Sequence, residues 1–324
     1  MGKNDIVNVI YNIRMSLMAV ILVLGLFGNT MAIVIMQQKK YKKISTCLYM
    51  TAISVVDNMQ IILYLIFWVY QEIKNDQIDK AYCMLRVFSI GWTLEASTYL
   101  IIAMTIDRSL MLKMPHTKKW RAPKRVKIII CLVIVLTSFR NAHRFKFATT
   151  IFDENLKHLT CSLYREDYPG SQEFAIIDAL VQTIIPACIL LSFNSYIIHK
   201  MKKKVQIGVA LSANIPNQQP NENLFKAKQR GITVMLICVS FGIVAFTLPV
   251  FLMIMIAKRI DKDYQNIIIF GFYQLSLTIY FMSFSANFYI CLIGGSRFRK
   301  DVRRYLGKCF PRRCTLTNVV APVH

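Results

Sequence analysis

The stretch CMLRVFSIGWTLEASTYLIIAMTIDR, residues 83–108, decides how the chain is read. It opens on Cys83, closes on Asp107-Arg108, and between those ends only Arg86 and Glu95 are charged. A helix from Cys83 to Arg108 rises about 37 Å, more than the roughly 30 Å hydrocarbon core of a bilayer. The stretch therefore predicts a membrane-crossing helix with a cysteine at one rim and an arginine at the other.

Working outward, hydropathy predicts seven spans: 15–36, 46–70, 81–108, 127–145, 174–199, 231–257 and 266–292. The fourth has the shortest apolar part, 128–139, because Arg140 and Arg144 crowd its end. After the seventh, SRFRKDVRRYL (296–306) sets basic residues between Phe298, Val302 and Leu306. That spacing predicts an amphipathic helix lying on the membrane surface. The expected organisation is a short extracellular N-terminus (1–14), an all-α seven-helix transmembrane bundle (15–295), and a surface helix with a basic cytoplasmic tail (296–324). No secretory signal peptide is expected, because the first apolar run ends in Gly-Asn-Thr rather than a small-residue cleavage site. The polar, proline-containing segment 206–223 reads as a loop.

Composition agrees. The 324 residues hold 40 Lys and Arg against 17 Asp and Glu, a net charge of +23, yet 55% are hydrophobic and the mean hydropathy is +0.42. A soluble nucleic-acid binder of that charge would be polar on average, so no nucleic-acid partner is expected. Four basic residues fall in 37–45, six in 109–126, seven in 200–230 and eight in 293–324. The only acids in those segments are Glu222 and Asp301, so they carry the whole excess and the rest of the chain is neutral. Basic loops lie in the cytoplasm. The N-terminus is then outside, the expected location is the plasma membrane, and the basic face meets anionic inner-leaflet lipid.

Polar and proline residues mark the spans at particular places. They are Asn29 after Gly28, Asp57, Cys83, Asp107-Arg108-Ser109, Pro115, Pro186, Pro249, and Ser285-Ala286-Asn287-Phe288-Tyr289. With the topology, this pattern resembles the rhodopsin-like G-protein-coupled receptors. Asp107-Arg108-Ser109 resembles that class's Asp-Arg-Tyr motif, and residues 285–289 resemble Asn-Pro-x-x-Tyr with only the Tyr kept. Residues 139–147 (FRNAHRFKF) and 287–299 (NFYICLIGGSRFR) are similar to invertebrate neuropeptide receptors of the FMRFamide-receptor type.

The resemblance implies a receptor, not an enzyme, that binds an extracellular ligand, most simply a short neuropeptide, and activates a heterotrimeric G protein. It implies a coupling switch of Asp107, Arg108 and Tyr289. It also implies a polar network of Asn29, Asp57 and Ser97, suited to a sodium ion or to water, and hinges at Pro186 and Pro249. Cys83 and Cys161, both on the outer side, are expected to bond in an oxidising compartment. Cys309 and Cys314 are candidate palmitoylation sites or plain thiols. The chain departs from the class at Ser109, Phe281, Ser285, Thr247 and Asn194, where Tyr, Asn, Asn, Trp and Tyr are usual. These departures put signalling efficiency and basal activity in question.

Ile90, seven residues after Cys83, stands where amine receptors carry Asp, which counts against a biogenic amine. The candidate ligand pocket comprises Arg86, Glu95, His143, Asp178, Gln182, Tyr273 and Gln274. Glu95 and Asp178 either pair with an arginine of a peptide ligand or satisfy Arg86, Arg140 and Arg144 internally. The acidic outer residues Asp153, Glu154, Glu166, Asp167 and Glu173 suit steering of a basic peptide or simple solvation. The sequence has no glycosylation sequon, phosphate loop, metal-ligand cluster or nucleophile elbow, so no metal or other cofactor is expected beyond that sodium ion. Two alternatives stand beside the peptide receptor. One is a receptor for a small molecule or lipid. The other is a multi-pass transporter, which would need a path of intramembrane charges and often an internal repeat.

Overall fold

The apolar runs become helices in a computed structural model that describes residues 3–42, 44–74, 78–113, 123–153, 158–163, 171–212, 237–253 and 267–309. In chain order these are α1 (Lys3–Met36), α2 (Ser45–Lys74), α3 (Lys80–Lys113), α4 (Pro123–Asn141), the single turn α5 (Arg144–Phe147), α6 (Ser171–Ala179), α7 (Ile185–Ser212), α8 (Ile237–Met253), α9 (Ile267–Gly294) and α10 (Ser296–Cys309). Among the described residues, six helical segments are long and apolar enough to cross a membrane. The shorter apolar α8 takes the sixth position, giving the seven-helix bundle. Pro115 and Cys314 lie outside the described residues.

α3 is the axis of the bundle. Ala96, Leu100, Ile101 and Met104 are buried along it, packed with Met50 and Ile53 of α2, Leu190 of α7 and Val239 of α8. α4 instead turns Ile128, Leu132, Leu136 and Phe139 outward, as a lipid-facing helix does. α1 lies along α9 at close range. A Cβ added to Gly25 would run into Ser285, so a small residue is required there.

α7 runs on to Ser212, so 206–212 of the segment expected to be a loop is helical, and 213–223 lies outside the described residues. Three further details depart from the hydropathy reading. α1 begins at Lys3, inside the segment expected to be a short N-terminus. Val7 is buried, Tyr11 donates to Glu72 (3.4 Å) and Arg14 donates to the Tyr64 hydroxyl (3.4 Å), so packing on α2 extends the helix outward. The fourth span ends at Asn141 rather than 145, and α5 follows after a short turn. The fifth span is not one uniform helix. Between α6 and α7, Leu180–Ile184 forms a π turn in which the Ile185 N–H reaches the Leu180 carbonyl, five residues back. Pro186 explains its place, since proline has no N–H for the Gln182 carbonyl and its ring crowds that turn. The Tyr99 hydroxyl of α3 donates to the Val181 carbonyl (3.2 Å) within this widened turn.

An outer hairpin of β1 (Thr149–Asp153) and β2 (His158–Ser162) interrupts the all-α architecture. The strands are antiparallel, with Thr150 opposite Cys161. Cys161 is joined to Cys83 at the outer end of α3 by a disulfide, with the two Cα atoms 5.3 Å apart. Loss of the disulfide in a Cys161→Ser variant is expected to cost about 2–4 kcal/mol. A lower melting temperature in detergent and reduced surface expression are the readouts.

α10 folds back onto the cytoplasmic end of the bundle. Phe298 and Val302 are buried, and the Phe298 ring meets Phe288 of α9 edge to face. Arg299 donates to the Leu292 carbonyl (3.0 Å) and to that of Ile293, capping the end of α9. Asp301 takes an ion pair from Lys40 and a hydrogen bond from Tyr41. Burial pushes the Asp301 carboxyl up, but Lys40, Tyr41 and Arg304 outweigh it and hold the carboxyl below its ordinary value. A lowered native value contributes docking strength above the free-aspartate range of about 3.9, and that strength is lost as pH falls through the lowered value. A fluorophore on α10 is expected to report undocking on acidification below that range. Asp301→Asn is expected to remove that transition.

Candidate functional site

Along α3 the buried polar groups gather at three levels. At the cytoplasmic level, Asp107 and Arg108 are both buried at the last turns of the helix. The ion pair to Asp107 comes from Arg125 at the start of α4, at 3.3 Å. Arg108 directs Nη1 toward the Met111 sulfur, at 3.9 Å. The Asp107 pair thus reaches across to α4 rather than along its own helix. Thr105 and Ser240 place hydroxyls 3.4 Å apart, linking α3 to the cytoplasmic part of α8. The third residue expected in the switch, Tyr289, donates to the Leu24 carbonyl of α1 (3.0 Å), so its hydroxyl is committed to a different helix. Ala286 stands where a proline would break α9, and α9 continues unbroken to Gly294.

At mid-membrane, Asp57 is fully buried on α2. Ser97 Oγ donates to its Oδ1 (2.6 Å) and Asn287 Nδ2 to its Oδ2 (2.7 Å). Asn29 takes another role: its Nδ2 donates to the Phe284 carbonyl at 2.9 Å, tying α1 to α9. Asn287 was therefore missed as a partner. Its signal was an amide inside a span, within the 285–289 stretch already singled out. Each Asp57 carboxylate oxygen thus accepts one hydrogen bond from a neighbouring helix, Oδ1 from α3 and Oδ2 from α9. Among the described residues no group of His, Cys, Asp and Glu could hold a metal ion. Of the expected hinges, Pro186 lies beside the π turn. Pro249 lies in α8 two residues beyond Thr247, whose hydroxyl donates to the Ile243 carbonyl (2.9 Å) of its own helix.

At the outer level, five side chains form one ionic cluster. Glu95 Oε2 accepts from Arg140 Nη1 (2.9 Å) and from Asn141 Nδ2 (2.7 Å). Asp178 forms an ion pair with Arg140 Nη2 (2.6 Å) through one oxygen and accepts from Arg144 Nη2 (2.6 Å) on the other. Arg144 Nε in turn donates to Asn141 Oδ1 (2.8 Å). Two arginines and two carboxylates balance, and the cluster joins α3, α4, α5 and α6. His143 stacks on Phe174, and its Nε2 lies 3.4 Å from Asp178, a charged pair only when the ring is protonated. The local reason for the break after Asn141 is visible here, because the turn lets Arg140, Asn141 and Arg144 all face inward. Gly91 makes room on α3: a Cβ there would lie 2.6 Å from the Arg144 guanidinium carbon.

The expected pocket residues thus divide. Glu95, His143 and Asp178 meet in the cluster, and the acids serve internal arginines. Arg86 pairs instead with Gln71 of α2, which itself donates to the Leu159 carbonyl of the hairpin (3.4 Å). Gln182 lies in the π turn, and Tyr273 and Gln274 lie on α9, outside the cluster. Gln182 Nε2 and Gln274 Oε1 are buried without a hydrogen-bond partner among the described residues. Cys309 closes α10.

These features define a membrane receptor bundle, and comparison with known proteins places it. The chain matches the family described as 7 transmembrane receptor (rhodopsin family) over residues 28–287, and it belongs to that family. It is 21% identical over 194 residues to a probable G-protein coupled receptor of Caenorhabditis elegans, covering 53% of this chain and 44% of the relative. It is 21% identical over 223 residues to the type-1 angiotensin II receptor of Oryctolagus cuniculus, covering 68% of this chain and 60% of that receptor. The corresponding receptor of Meleagris gallopavo is 23% identical over 223 residues, covering 67% of this chain and 60% of that receptor. The chain therefore spans less than two thirds of these relatives' own length. These relatives do not single out the FMRFamide-receptor type. Membership makes the chain a receptor rather than an enzyme, crossing the plasma membrane several times.

Breaking the outer cluster from one side leaves charge uncompensated. Asp178→Asn is expected to destabilise the purified protein by about 3–5 kcal/mol, read as a lowered melting temperature. The paired change Asp178→Leu with Arg144→Met is expected to recover much of that loss. A melting temperature unchanged by Asp178→Asn alone would contradict the cluster's structural role.

Proposed function

We propose that the chain is a G-protein-coupled receptor for an extracellular short peptide, and that it activates a heterotrimeric G protein through its cytoplasmic face. The observation that carries the reading is the buried Asp107-Arg108 pair at the cytoplasmic end of α3 in a rhodopsin-family chain. Burying charge at such a depth is costly, and a second state that engages Arg108 elsewhere gives the pair a use. Ligand binding on the outer side would favour that state by its differential affinity for the two arrangements. The widened turn of the fifth span and Pro249 of the sixth are where the helices would yield.

The peptide class is supported by relatives named as angiotensin II receptors. It is further supported by the likeness of residues 139–147 and 287–299 to FMRFamide-type receptors, and by Ile90 in place of an amine-binding acid. The outer crevice would recognise the peptide with the groups the ionic cluster leaves available, Gln182 and Gln274 among them. A sodium ion at Asp57 would take the Asp57 carboxylate and the Ser97 hydroxyl as its protein oxygens. The basic cytoplasmic loops would face anionic lipid and the G protein, and Cys309 and Cys314 would be available for acylation.

A panel of amidated and free-acid short peptides, angiotensin II included, is to be tested on cells expressing the chain, with G-protein activation as readout. At least one peptide is expected to activate. Arg108→Ala is expected to abolish activation while leaving surface expression and binding of the labelled peptide intact. Activation by a lipid or small molecule with silence across the peptides would overturn the peptide reading. Coupling unchanged in Arg108→Ala would overturn the switch.

A further inference from the structure

We infer that the chain carries a binding site for an anionic glycerophospholipid of the inner leaflet, between the cytoplasmic ends of α3 and α7. A cleft of about 320 Å³ opens there, lined by Ser109, Leu110, Lys113, Ser192, Phe193 and Tyr196. It lies on the outside of the bundle. Ser192 shares a helix face with Cys188 and Ile185, and all three are exposed, whereas Leu190, Asn194 and Ile197 on the other side of α7 are buried. In a bilayer the cleft therefore meets lipid and not the central crevice.

Its chemistry fits one kind of occupant. The walls are mainly apolar, from Leu110, Phe193 and the Tyr196 ring, and suit an acyl chain. The two serines need nothing from a ligand: Ser109 Oγ donates to the Ile106 carbonyl (2.8 Å) and Ser192 Oγ to that of Cys188 (2.7 Å). Recognition falls to charge at the cytoplasmic mouth. Lys113 is exposed on the last turn of α3. Lys200, one turn beyond Tyr196, folds back so that its Nζ lies 5.7 Å from the Tyr196 ring centroid. Among the described residues neither lysine has a carboxylate partner. One acyl chain in the cleft and one phosphate between the two ammonium groups satisfies both parts. A second negative headgroup charge, as in phosphatidylserine, distinguishes the occupant from phosphatidylcholine, whose own choline offsets its phosphate. Such a lipid bridges α3 to the fifth span one residue from Arg108.

The test uses the full chain in nanodiscs, with phosphatidylserine carrying a photoactivatable acyl chain, and crosslinks mapped by mass spectrometry. Labelling is expected to concentrate on the α3 and α7 peptides containing residues 109–113 and 192–196. Lys113→Gln with Lys200→Gln is expected to lower it by about fivefold for each lysine removed. Ser192→Phe, which fills the cleft and leaves both charges, is expected to lower it as well. Lys113→Arg with Lys200→Arg is expected to retain labelling, which separates charge recognition from a folding defect. Lys202→Gln with Lys300→Gln, exposed lysines outside the cleft, serves as the control. The inference is overturned if the control pair lowers labelling as much as the cleft pair. It is equally overturned by labelling spread evenly over the lipid-facing helices, or by equal labelling with a phosphatidylcholine probe.

Discussion

A charge in hydrocarbon must bring its own partner, and the outer half of this receptor is built around that requirement. Glu95 and Asp178 would each be costly alone. Arg140 spans both, Arg144 completes Asp178, and Asn141 bridges the acid of one pair to the arginine of the other. The cluster holds α4, α5 and α6 against α3 where apolar packing by α4 is thin, since most of that helix faces lipid. Glycine at position 91 is a condition of the arrangement, because any side chain there would displace Arg144.

The same requirement recurs deeper along α3. Ser97 and Asn287 meet Asp57 from two helices, and Arg125 meets Asp107 from a third. α3 is thereby tied to α4 and, through Arg140, to α6 outside, to α2 in the middle, where Asp57 also takes Asn287 of α9, and to α4 again inside. The π turn before α7 meets α3 through the Tyr99–Val181 bond, and α8 meets it through the Thr105–Ser240 contact.

Much of this was legible in the sequence, for reasons of scale. A span is a run of about twenty apolar residues, and hydropathy reads it directly. The outer disulfide followed from two cysteines placed on the outer side, and the interest of Asp107-Arg108 from a resemblance carried by a short motif. What the sequence left open was the choice between partners at a distance. Internal pairing of Glu95 and Asp178 with Arg140 and Arg144 stood beside pairing with a peptide arginine, and only the inward turn of both arginines, which no periodicity discloses, selects the first. Asn287 lay inside a stretch read for its Tyr, and Tyr289 turned out to bond α1. The N-terminal turns of α1 looked polar because hydropathy does not count a face that packs on α2.

The π turn has a bearing on how the fifth span can be compared with those of other proteins. Asp178, Pro186, Leu190 and Asn194 all face inward, at multiples of four residues. In a uniform α-helix the sixteen residues from Asp178 to Asn194 would place those two side chains roughly 160° apart around the axis. Accommodating one extra residue in the widened turn reduces that offset to roughly 60°, so both can face the bundle. The helix thus holds two phases of inward-facing positions, joined at Leu180–Ile184. Counting outward from Pro186 as though the span were regular would misassign every position beyond the turn by one residue, and would turn Asp178 roughly 80° away from the face that Pro186 occupies.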